Sequence, residues 1–436
     1  MKFRSTLVFA SLFGVALSAS ATDLVIATVN NGQMIQMERL TSVFEKQNPD
    51  IHVKWVTLEE NVLRQRVTTD IATKGRQFDL MTIGMYEVPI WSKLGWLKPI
   101  VPNASYDEND LLAPIREGLS YKGKLYAAPF YGESSMLMYR TDLMKKAGLT
   151  MPDKPTWDQV RDMAAKLNDP KAGVYGICLR GKAGWGENMA LLSTMVNTWG
   201  GQWFNMKWEP QLQTKPWENA VSFYVDLLKK YGPPGASNYG FNENLALFDQ
   251  GKCAMWVDAS VAAGFISDPK QSKVAHEVGF AQAPVAVTPK GAHWLWSWAL
   301  GIPSDVSPAQ EAAAQKFVNW ATSKQYIELV AASEGWGLVP SGTRASTYAN
   351  PNYQKAAPWG QAELHAIDTA NPNDATLPKS PYVGVQYAAI PEFQGIGTQV
   401  GQYISAALSG STTVPKALAE SQAAATRQMK MAGYLK

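Results

Sequence analysis

The chain has 436 residues, of which 18% are charged and 11% are aromatic, and its formal net charge is +3. This length leaves room for two domains with substantial cores. The low charge and the high aromatic content exclude a disordered chain. The charge balance is close to neutral and no basic run occurs, so the sequence gives no support for nucleic-acid binding.

Residues 1–21 have the features of an export signal. Two basic residues near the start precede a short apolar segment over 7–17, and Ala19-Ser20-Ala21 offers small side chains at the cleavage position. The apolar segment is much shorter than the ~20 residues that a membrane-spanning helix needs. We therefore predict a cleavable signal peptide and a mature chain that begins at about Thr22.

The next part of the chain alternates strand and helix patterns. Strands are predicted over 24–29, 51–55 and 78–84, and helices over 33–47 and around 63–71. This β-α-β-α-β order predicts an α/β fold with a parallel sheet that carries helices on both faces. In such sheets ligands bind beyond the C-terminal ends of the strands. Asn31 follows the first strand, and Tyr86 and Glu87 follow the third.

The stretch 129–160 reads PFYGESSMLMYRTDLMKKAGLTMPDKPTWDQV and follows a tight hairpin over 121–126. Strand-like residues lie on both sides of Tyr131-Gly132-Glu133-Ser134, and Gly132 permits the backbone to bend there. We predict that the chain crosses from one domain to another at this point. A second crossing is predicted at Pro284, where strand patterns resume.

Beyond the first crossing, further elements follow from local signals such as the Thr156–Gln159 and Ser307–Gln310 capping boxes. The predicted strands cover 174–179, 251–258 and 278–283. The predicted helices cover 141–147, 157–167, 216–230, 242–249, one long helix over 307–333, and a last helix from Val414.

Three features of this region are candidates for a site. Residues 180–188 form a glycine-rich turn after a predicted strand; it lacks the spacing of a phosphate-binding loop, and it is either a ligand loop or a surface turn. Asp258 ends a predicted strand. Trp294, Trp296 and Trp298 alternate along one strand face, so they either fill a core or present at least one ring to a cleft.

Cys178 and Cys253 are the only two cysteines. Both lie in apolar, strand-like stretches, and we predict two buried free thiols, although an exported protein permits a disulfide. Their spacing matches neither a metal site nor a redox motif. Because the first cysteine is Cys178, no lipid anchor is expected at the cleavage site.

The stretch 129–160, together with GKCAMWVDAS, HWLWSWALGIP and GWGLVPSGTR, resembles the carbohydrate-type solute-binding proteins of ABC importers, the group that includes maltose-binding protein. Within that group the resemblance is greatest to the sorbitol/mannitol-binding branch. It implies a two-lobed periplasmic binding protein fold of type II with the ligand cleft between the lobes. Lobe one would comprise 22–131 plus 284–345, and lobe two 132–283 plus 346–436.

The resemblance also implies a function. A sugar alcohol such as mannitol or sorbitol would be captured by hinge closure in the periplasm and delivered to a membrane permease, without a cofactor or a metal and by a monomeric protein. The implied ligand-binding residues are Asn31, Tyr86, Glu87, Glu133, Arg180, Trp185, Asp258, Trp296, Ser297, Trp336, Arg344, Tyr382 and Gln386.

One departure from the family pattern bears on the size of the ligand. Trp296 and Ser297 stand where the family usually has two glycines before a Trp, which narrows the cleft and favours a small ligand. Alternatives remain open at this point: a monosaccharide, a disaccharide, glycerol phosphate, or a secreted glycoside-processing enzyme. The enzyme would need a pair of carboxylates across a cleft, and the available acids are Glu87, Glu133, Glu187 and Asp258.

Overall fold

The computed structural model describes residues 21–436; the predicted export signal lies outside them, apart from Ala21. The strands are β1 (Thr22–Val29), β2 (Ile51–Leu58), β3 (Leu80–Ile83), β4 (Leu97–Lys98), β5 (Ser120–Tyr121), β6 (Lys124–Leu125), β7 (Ala127–Glu133), β8 (Ser135–Arg140), β9 (Met255–Ala259), β10 (Val278–Gln282) and β11 (Trp296–Pro303).

The α-helices flank these strands and fill most of the remaining chain. They are α1 (Gly32–Gln47), α2 (Glu60–Thr73), α3 (Glu87–Lys93), α4 (Ala113–Gly118), α5 (Thr141–Lys146), α6 (Trp157–Leu167), α7 (Asn188–Thr198), α8 (Lys215–Tyr231), α9 (Phe241–Asp249), α10 (Ala262–Ile266), α11 (Pro308–Ala321), α12 (Lys324–Glu334), α13 (Ala345–Ala349), α14 (Pro351–Ala356), α15 (Gly360–Thr369), α16 (Phe393–Ser409) and α17 (Val414–Met431). In the part of the chain described here, no helix has the length and apolar character needed to cross a bilayer.

The first sheet has the strand order β2-β1-β3-β11-β4, and β7 also pairs with β11. Strands β2 and β3 both run parallel to β1, which confirms the parallel arrangement predicted from the alternating strands and helices. Strand β11 runs antiparallel to β3, β4 and β7. This return of a distant strand into the first sheet agrees with the strand patterns that resume after Pro284.

The second sheet is antiparallel, with the order β10-β8-β9. The chain passes from β7 in the first sheet to β8 in the second over the single residue Ser134. Here the backbone crosses that of another segment: the Gly132 amide donates to the Ser341 carbonyl at 2.9 Å. A side chain on Gly132 would overlap the carbonyl of Gly342. Only glycine therefore allows these two segments of the backbone to approach each other this closely.

The predicted free thiols are wrong: Cys178 and Cys253 form a disulfide, with their Cα atoms 5.8 Å apart. The predicted strand over 174–179 is also not a regular strand. Only isolated pairs form there, Tyr175 with Cys253 and Cys178 with Trp256. These parallel pairs set the two cysteines side by side, and no local pattern in the sequence reports such a pairing between distant segments.

The long helix predicted over 307–333 is two helices, α11 and α12. Thr322 and Ser323 separate them because their hydroxyls bond to the backbone. The Thr322 hydroxyl donates to the Val318 carbonyl at 2.7 Å, and the Ser323 hydroxyl accepts from the Tyr326 amide at 3.0 Å, which caps the start of α12. Other local predictions are confirmed, among them the capping box at Thr156 and the hairpin formed by β5 and β6.

Candidate functional site

A cavity of about 140 Å³ is lined on one side by β1, β7 and β11 of the first sheet and on the other by the 180–188 turn, α7 and α9. The C-terminal end of β1, the glycine-rich turn over 180–188 and the segment that precedes β11 all contribute lining residues. Its principal side chains are Asn31, Glu59, Glu60, Arg64, Tyr131, Glu133, Arg180, Lys182, Trp185, Glu187, Phe241, Trp294, Trp296, Trp298 and Gln386.

Four tryptophans give the cavity its apolar surface. Trp294, Trp296 and Trp298 lie on one face because their spacing is two residues, and all three line the cavity. Trp185, from the glycine-rich turn, meets Trp296 edge to face with the ring centroids 5.8 Å apart. Such rings cover apolar C–H groups while each indole keeps one N–H donor.

Arg180 supplies a fixed positive charge. Its Nη2 lies 2.6 Å from Asp258 Oδ1, its Nε lies 2.9 Å from Asp258 Oδ2, and its Nη1 donates to the Gly186 carbonyl at 2.8 Å. Burial alone would lower the pKa of Arg180, but the charge and hydrogen bonds of Asp258 outweigh it and raise the pKa. Asp258 therefore stands behind the arginine, holds it in place, and does not itself line the cavity.

Two buried carboxyl groups face the cavity with perturbed acidity. Burial raises the pKa of Glu133 to about 8, against the lowering effect of Arg180 and with a further rise from Asp258. Burial also raises the pKa of Glu187 to about 8, helped by the neighbouring charge of Glu60 and opposed by Arg180. Near neutral pH these groups can donate as well as accept hydrogen bonds.

Several polar atoms of the cavity residues make no hydrogen bond within the described chain, although Glu187 Oε2 lies 3.7 Å from Arg180 Nη1. The indole nitrogens of Trp185, Trp294 and Trp296 and the Oε2 atom of Glu187 are buried without a hydrogen bond to any residue within 21–436. Buried polar atoms are normally paired, so a concentration of unpaired ones calls for an explanation. All four belong to cavity-lining residues and together offer three donors and one oxygen.

Asn31 and Gln386 line the cavity while they also support its walls. The Asn31 carbonyl oxygen accepts from the Met34 amide at 3.1 Å and caps α1, and its amide donates to the Tyr131 hydroxyl at 2.8 Å. Gln386 bonds the backbone of Leu295 through both side-chain atoms, at 2.8 and 3.3 Å.

Tyr86 and Glu87 lie beside the cavity without lining it. The Tyr86 hydroxyl donates to the Ile390 carbonyl at 2.9 Å, and its ring packs on Trp185 with a centroid distance of 4.9 Å. Glu87 accepts from Arg64 at 2.9 Å. Both residues hold lining side chains in place.

Ser297 and Trp336 are not among the residues that line the cavity. Ser297 is buried and its hydroxyl donates to the Tyr131 carbonyl at 2.9 Å, because successive residues of a strand point to opposite faces. Trp336 begins a short 3₁₀ turn, Trp336–Leu338, and is half-buried there.

Arg344 and Tyr382 have structural partners away from the cavity. Arg344 is fully buried and donates to the carbonyls of Tyr106 at 2.8 Å and Thr322 at 3.0 Å. Its guanidinium caps the C-terminal end of α11 through the Thr322 carbonyl, and Arg344 does not line the cavity. The Tyr382 hydroxyl accepts from the Trp203 amide at 2.9 Å.

The sequence reasoning missed the contribution of α2. Arg64 is almost fully buried in the cavity wall, where its Nη2 lies 2.8 Å from Glu60 and its Nη1 lies 2.9 Å from Glu87. The spacing of Glu60 and Arg64, four residues apart next to the apolar face marked by Leu63 and Val67, was the available signal.

Hydrogen bonds join the two sides of the cleft at its mouth. Lys182 lies 2.7 Å from the Glu59 carboxylate, the Asn242 side chain donates to the Asn30 carbonyl at 2.6 Å, and Asn61 donates to the Ala183 carbonyl at 3.1 Å. These bonds connect the β1 and β2 ends of the first sheet with the turn and helix that flank the second sheet. The structure is therefore in a closed arrangement.

A two-sheet α/β fold with a small polar and aromatic cavity in the cleft is typical of proteins that bind solutes. Residues 29–328 match the bacterial extracellular solute-binding protein family, which is more than half of the chain. The chain belongs to that family.

Individual relatives share the architecture along nearly the whole chain. The mannitol-binding protein of Pseudomonas aeruginosa is 57% identical over 422 residues, which cover 96% of each chain. A crystal structure of an ABC transporter solute-binding protein from Agrobacterium vitis S4, with bound D-mannitol, has 59% identity and a TM-score of 0.93 over 95% of this chain and 100% of that one.

A more distant structure comes from Agrobacterium radiobacter K84, an ABC transporter solute-binding protein in complex with ribitol. It is 26% identical, with a TM-score of 0.81 over 94% of this chain and 99% of that one. These structures confirm the predicted fold, the two-lobed α/β architecture of periplasmic binding proteins.

Proposed function

We propose that this protein binds a sugar alcohol, a hexitol such as mannitol or sorbitol, and delivers it to the membrane permease of an ABC importer. The likeness to the mannitol-binding protein of Pseudomonas aeruginosa and to the D-mannitol complex from Agrobacterium vitis supports this assignment. The export signal predicted over 1–21 and the family of extracellular solute-binding proteins support a periplasmic location.

The observation that carries the proposal is the set of unpaired polar atoms on Trp185, Trp294, Trp296 and Glu187. A hexitol presents hydroxyl groups along its whole length, so it can accept from the indole N–H groups and bond to the carboxyl group of Glu187 as donor or acceptor. The same rings cover its C–H groups. Each group left unpaired in the closed cleft would cost about 1–3 kcal/mol, so the site favours a fully hydroxylated ligand.

The charges around the cavity favour a neutral ligand over a phosphorylated one. Arg180 and Arg64 are each bound to carboxylates of the protein, and Lys182 pairs with Glu59. No basic group among these is left free for a phosphate. Glycerol phosphate is therefore a poorer candidate than a hexitol.

The proposed motion is a rotation of the two lobes about the crossing strands. In this proposal lobe one comprises 22–131 plus 284–345, and lobe two comprises 132–283 plus 346–436. The crossing of Gly132 and Gly342 lies at the junction and supports these boundaries. Ligand stabilises the closed form because it contacts both lobes at once, and the closed form then docks on the permease.

Thermal unfolding and calorimetry of the mature protein would test the ligand class. The panel comprises mannitol, sorbitol, arabitol, glucose, maltose and glycerol phosphate. A ligand at a hundred times its Kd adds about 2.7 kcal/mol to the free energy of unfolding, which raises the Tm by several degrees. A shift with hexitols and none with maltose is expected. A shift with maltose alone would overturn the proposal.

A further inference from the structure

The cleft continues beyond the cavity. An open groove of about 780 Å³ lies between α2 and α3 on one side and α16 on the other, and we call it the outer groove. Arg64 and Trp185 are the residues that line both the cavity and the outer groove. These two side chains therefore form the wall between the two spaces, and we call them the Arg64–Trp185 wall.

The wall is rigidly held from both lobes. The Arg64 guanidinium carbon stands 4.1 Å from the centre of the Trp185 ring. Glu60 and Glu87 fix the arginine from the first lobe. On the other side, Phe393 packs on Trp185 with a centroid distance of 6.0 Å. These contacts and the attraction between the cation and the ring hold both side chains between the cavity and the outer groove.

The outer groove has the chemistry of a neutral carbohydrate surface. Arg64 carries the one charge among the residues that line it in the described chain. The other polar groups are mainly amides, which donate to and accept from hydroxyls, and two indoles add apolar faces. The amides are those of Asn61, Gln65, Gln394, Gln399 and Gln402, and the indoles are those of Trp91 and Trp96.

We propose that the Arg64–Trp185 wall sets the length limit of the ligand by closing the cleft after one open-chain sugar alcohol. Without the wall, the cavity and the outer groove form one continuous cleft. That cleft would accept a glycosyl hexitol, with the hexitol in the cavity and its sugar ring in the outer groove. This inference rests on the proposed function, because it assumes that the cavity holds a hexitol.

The test compares wild type with Trp185→Ala by calorimetry, using mannitol, sorbitol and the glucosyl hexitol maltitol. Wild type is expected to bind a hexitol and to bind maltitol at least about a hundredfold more weakly, since the wall excludes the ring. Trp185→Ala is expected to bind maltitol at least about tenfold more tightly than wild type does, and to lose hexitol affinity. Trp157→Ala is the matched control: it also removes a buried indole, one that packs on Trp199 away from the cavity, and should keep the wild-type preference.

If Trp185→Ala does not fold, a second variant tests whether the hexitol stays on the cavity side of the Arg64–Trp185 wall. Thr398→Trp places a bulky ring in the outer groove and leaves the Arg64–Trp185 wall unchanged, and it is expected to keep hexitol affinity within about twofold. A tenfold loss in this variant would show that the ligand extends past the wall, and would overturn the inference. Strong binding of maltitol by wild type, or a folded Trp185→Ala that gains no affinity for maltitol, would overturn it too. Absence of any hexitol binding by wild type would instead overturn the proposed function.

Discussion

Arg180 and Asp258 form a doubly bonded ion pair at the inner surface of the cleft, with Nη2 to Oδ1 at 2.6 Å and Nε to Oδ2 at 2.9 Å. Asp258 also accepts from the Trp256 indole at 3.1 Å and from the Ala259 amide at 2.7 Å. The backbone and indole of β9 thus hold the aspartate, and the aspartate holds Arg180, which lines the cavity.

Asp258→Asn should destabilise the protein and weaken hexitol binding together. The change leaves the buried Arg180 without its counter-charge, which costs about 3–5 kcal/mol when a buried pair is broken. Urea unfolding and calorimetry measure the two effects. Asp226→Asn is the matched control, because it breaks the exposed pair of Asp226 and Lys230, and solvent screens such a surface pair so that it contributes little to stability. Wild-type stability in Asp258→Asn would contradict the anchoring role.

Trp296→Phe should lower hexitol affinity about tenfold with little loss of stability. Phenylalanine keeps an apolar ring over the ligand but removes the N–H group, and one lost hydrogen bond corresponds to about 1–1.5 kcal/mol. Trp157→Phe makes the same change at another buried indole without a partner, outside the cavity. Equal affinities of the two variants would show that the Trp296 indole does not contact the ligand.

The ligand-free protein should lose stability as the pH rises from about 4.5 to about 8, in part through Glu133, whose pKa is raised over that interval. In this window the unfolded chain releases the proton while the folded protein keeps it, so the unfolded state binds fewer protons and the free energy of unfolding falls. One such group contributes a slope of at most about 1.4 kcal/mol per pH unit.

Glu133→Gln should therefore flatten the dependence of stability on pH, as measured by urea unfolding across this range. Glu187 contributes in the same direction, so the double replacement should flatten it further. Replacement of the exposed Glu117 by Gln serves as the control and should leave the slope as it is. A wild-type slope in Glu133→Gln would mean that this carboxyl is already ionised in the folded protein.

Replacement of both cysteines by alanine should destabilise the second lobe. The disulfide closes a loop of 75 residues, and the chain-entropy account gives about 4.5 kcal/mol for a loop of that length. Unfolding of the oxidised protein, the reduced protein and the double variant measures this difference. Equal stability of all three would show that the loop is already constrained by the packing around it.

Local signals in the sequence predicted the elements well where the signal and the structure concern the same few residues. The Thr156–Gln159 capping box marked the start of α6, and the glycine at position 132 marked the crossing between sheets. The alternation of Trp294, Trp296 and Trp298 likewise predicted a shared face.

Features that depend on distant partners were beyond local reasoning. An arginine that donates to backbone carbonyls, as Arg344 does, has the same local sequence pattern as one that lines the cavity, as Arg180 does. The burial of Arg64 depends on the aromatic residues of the turn and of β11, which reach it only in the folded chain. The disulfide depends on the parallel pairing of two segments that the sequence separates widely.

The position of the disulfide has a consequence for how the protein matures. Cys178 and Cys253 lie on the segments that lead directly into Arg180 and Asp258. Oxidation after export would therefore place Arg180 and Asp258 close to the same cross-link. The disulfide would limit the distance between the two residues before their ion pair forms. We therefore expect protein made in a reducing cytoplasm, which lacks this cross-link, to hold Arg180 and Asp258 together less firmly than protein that is oxidised after export.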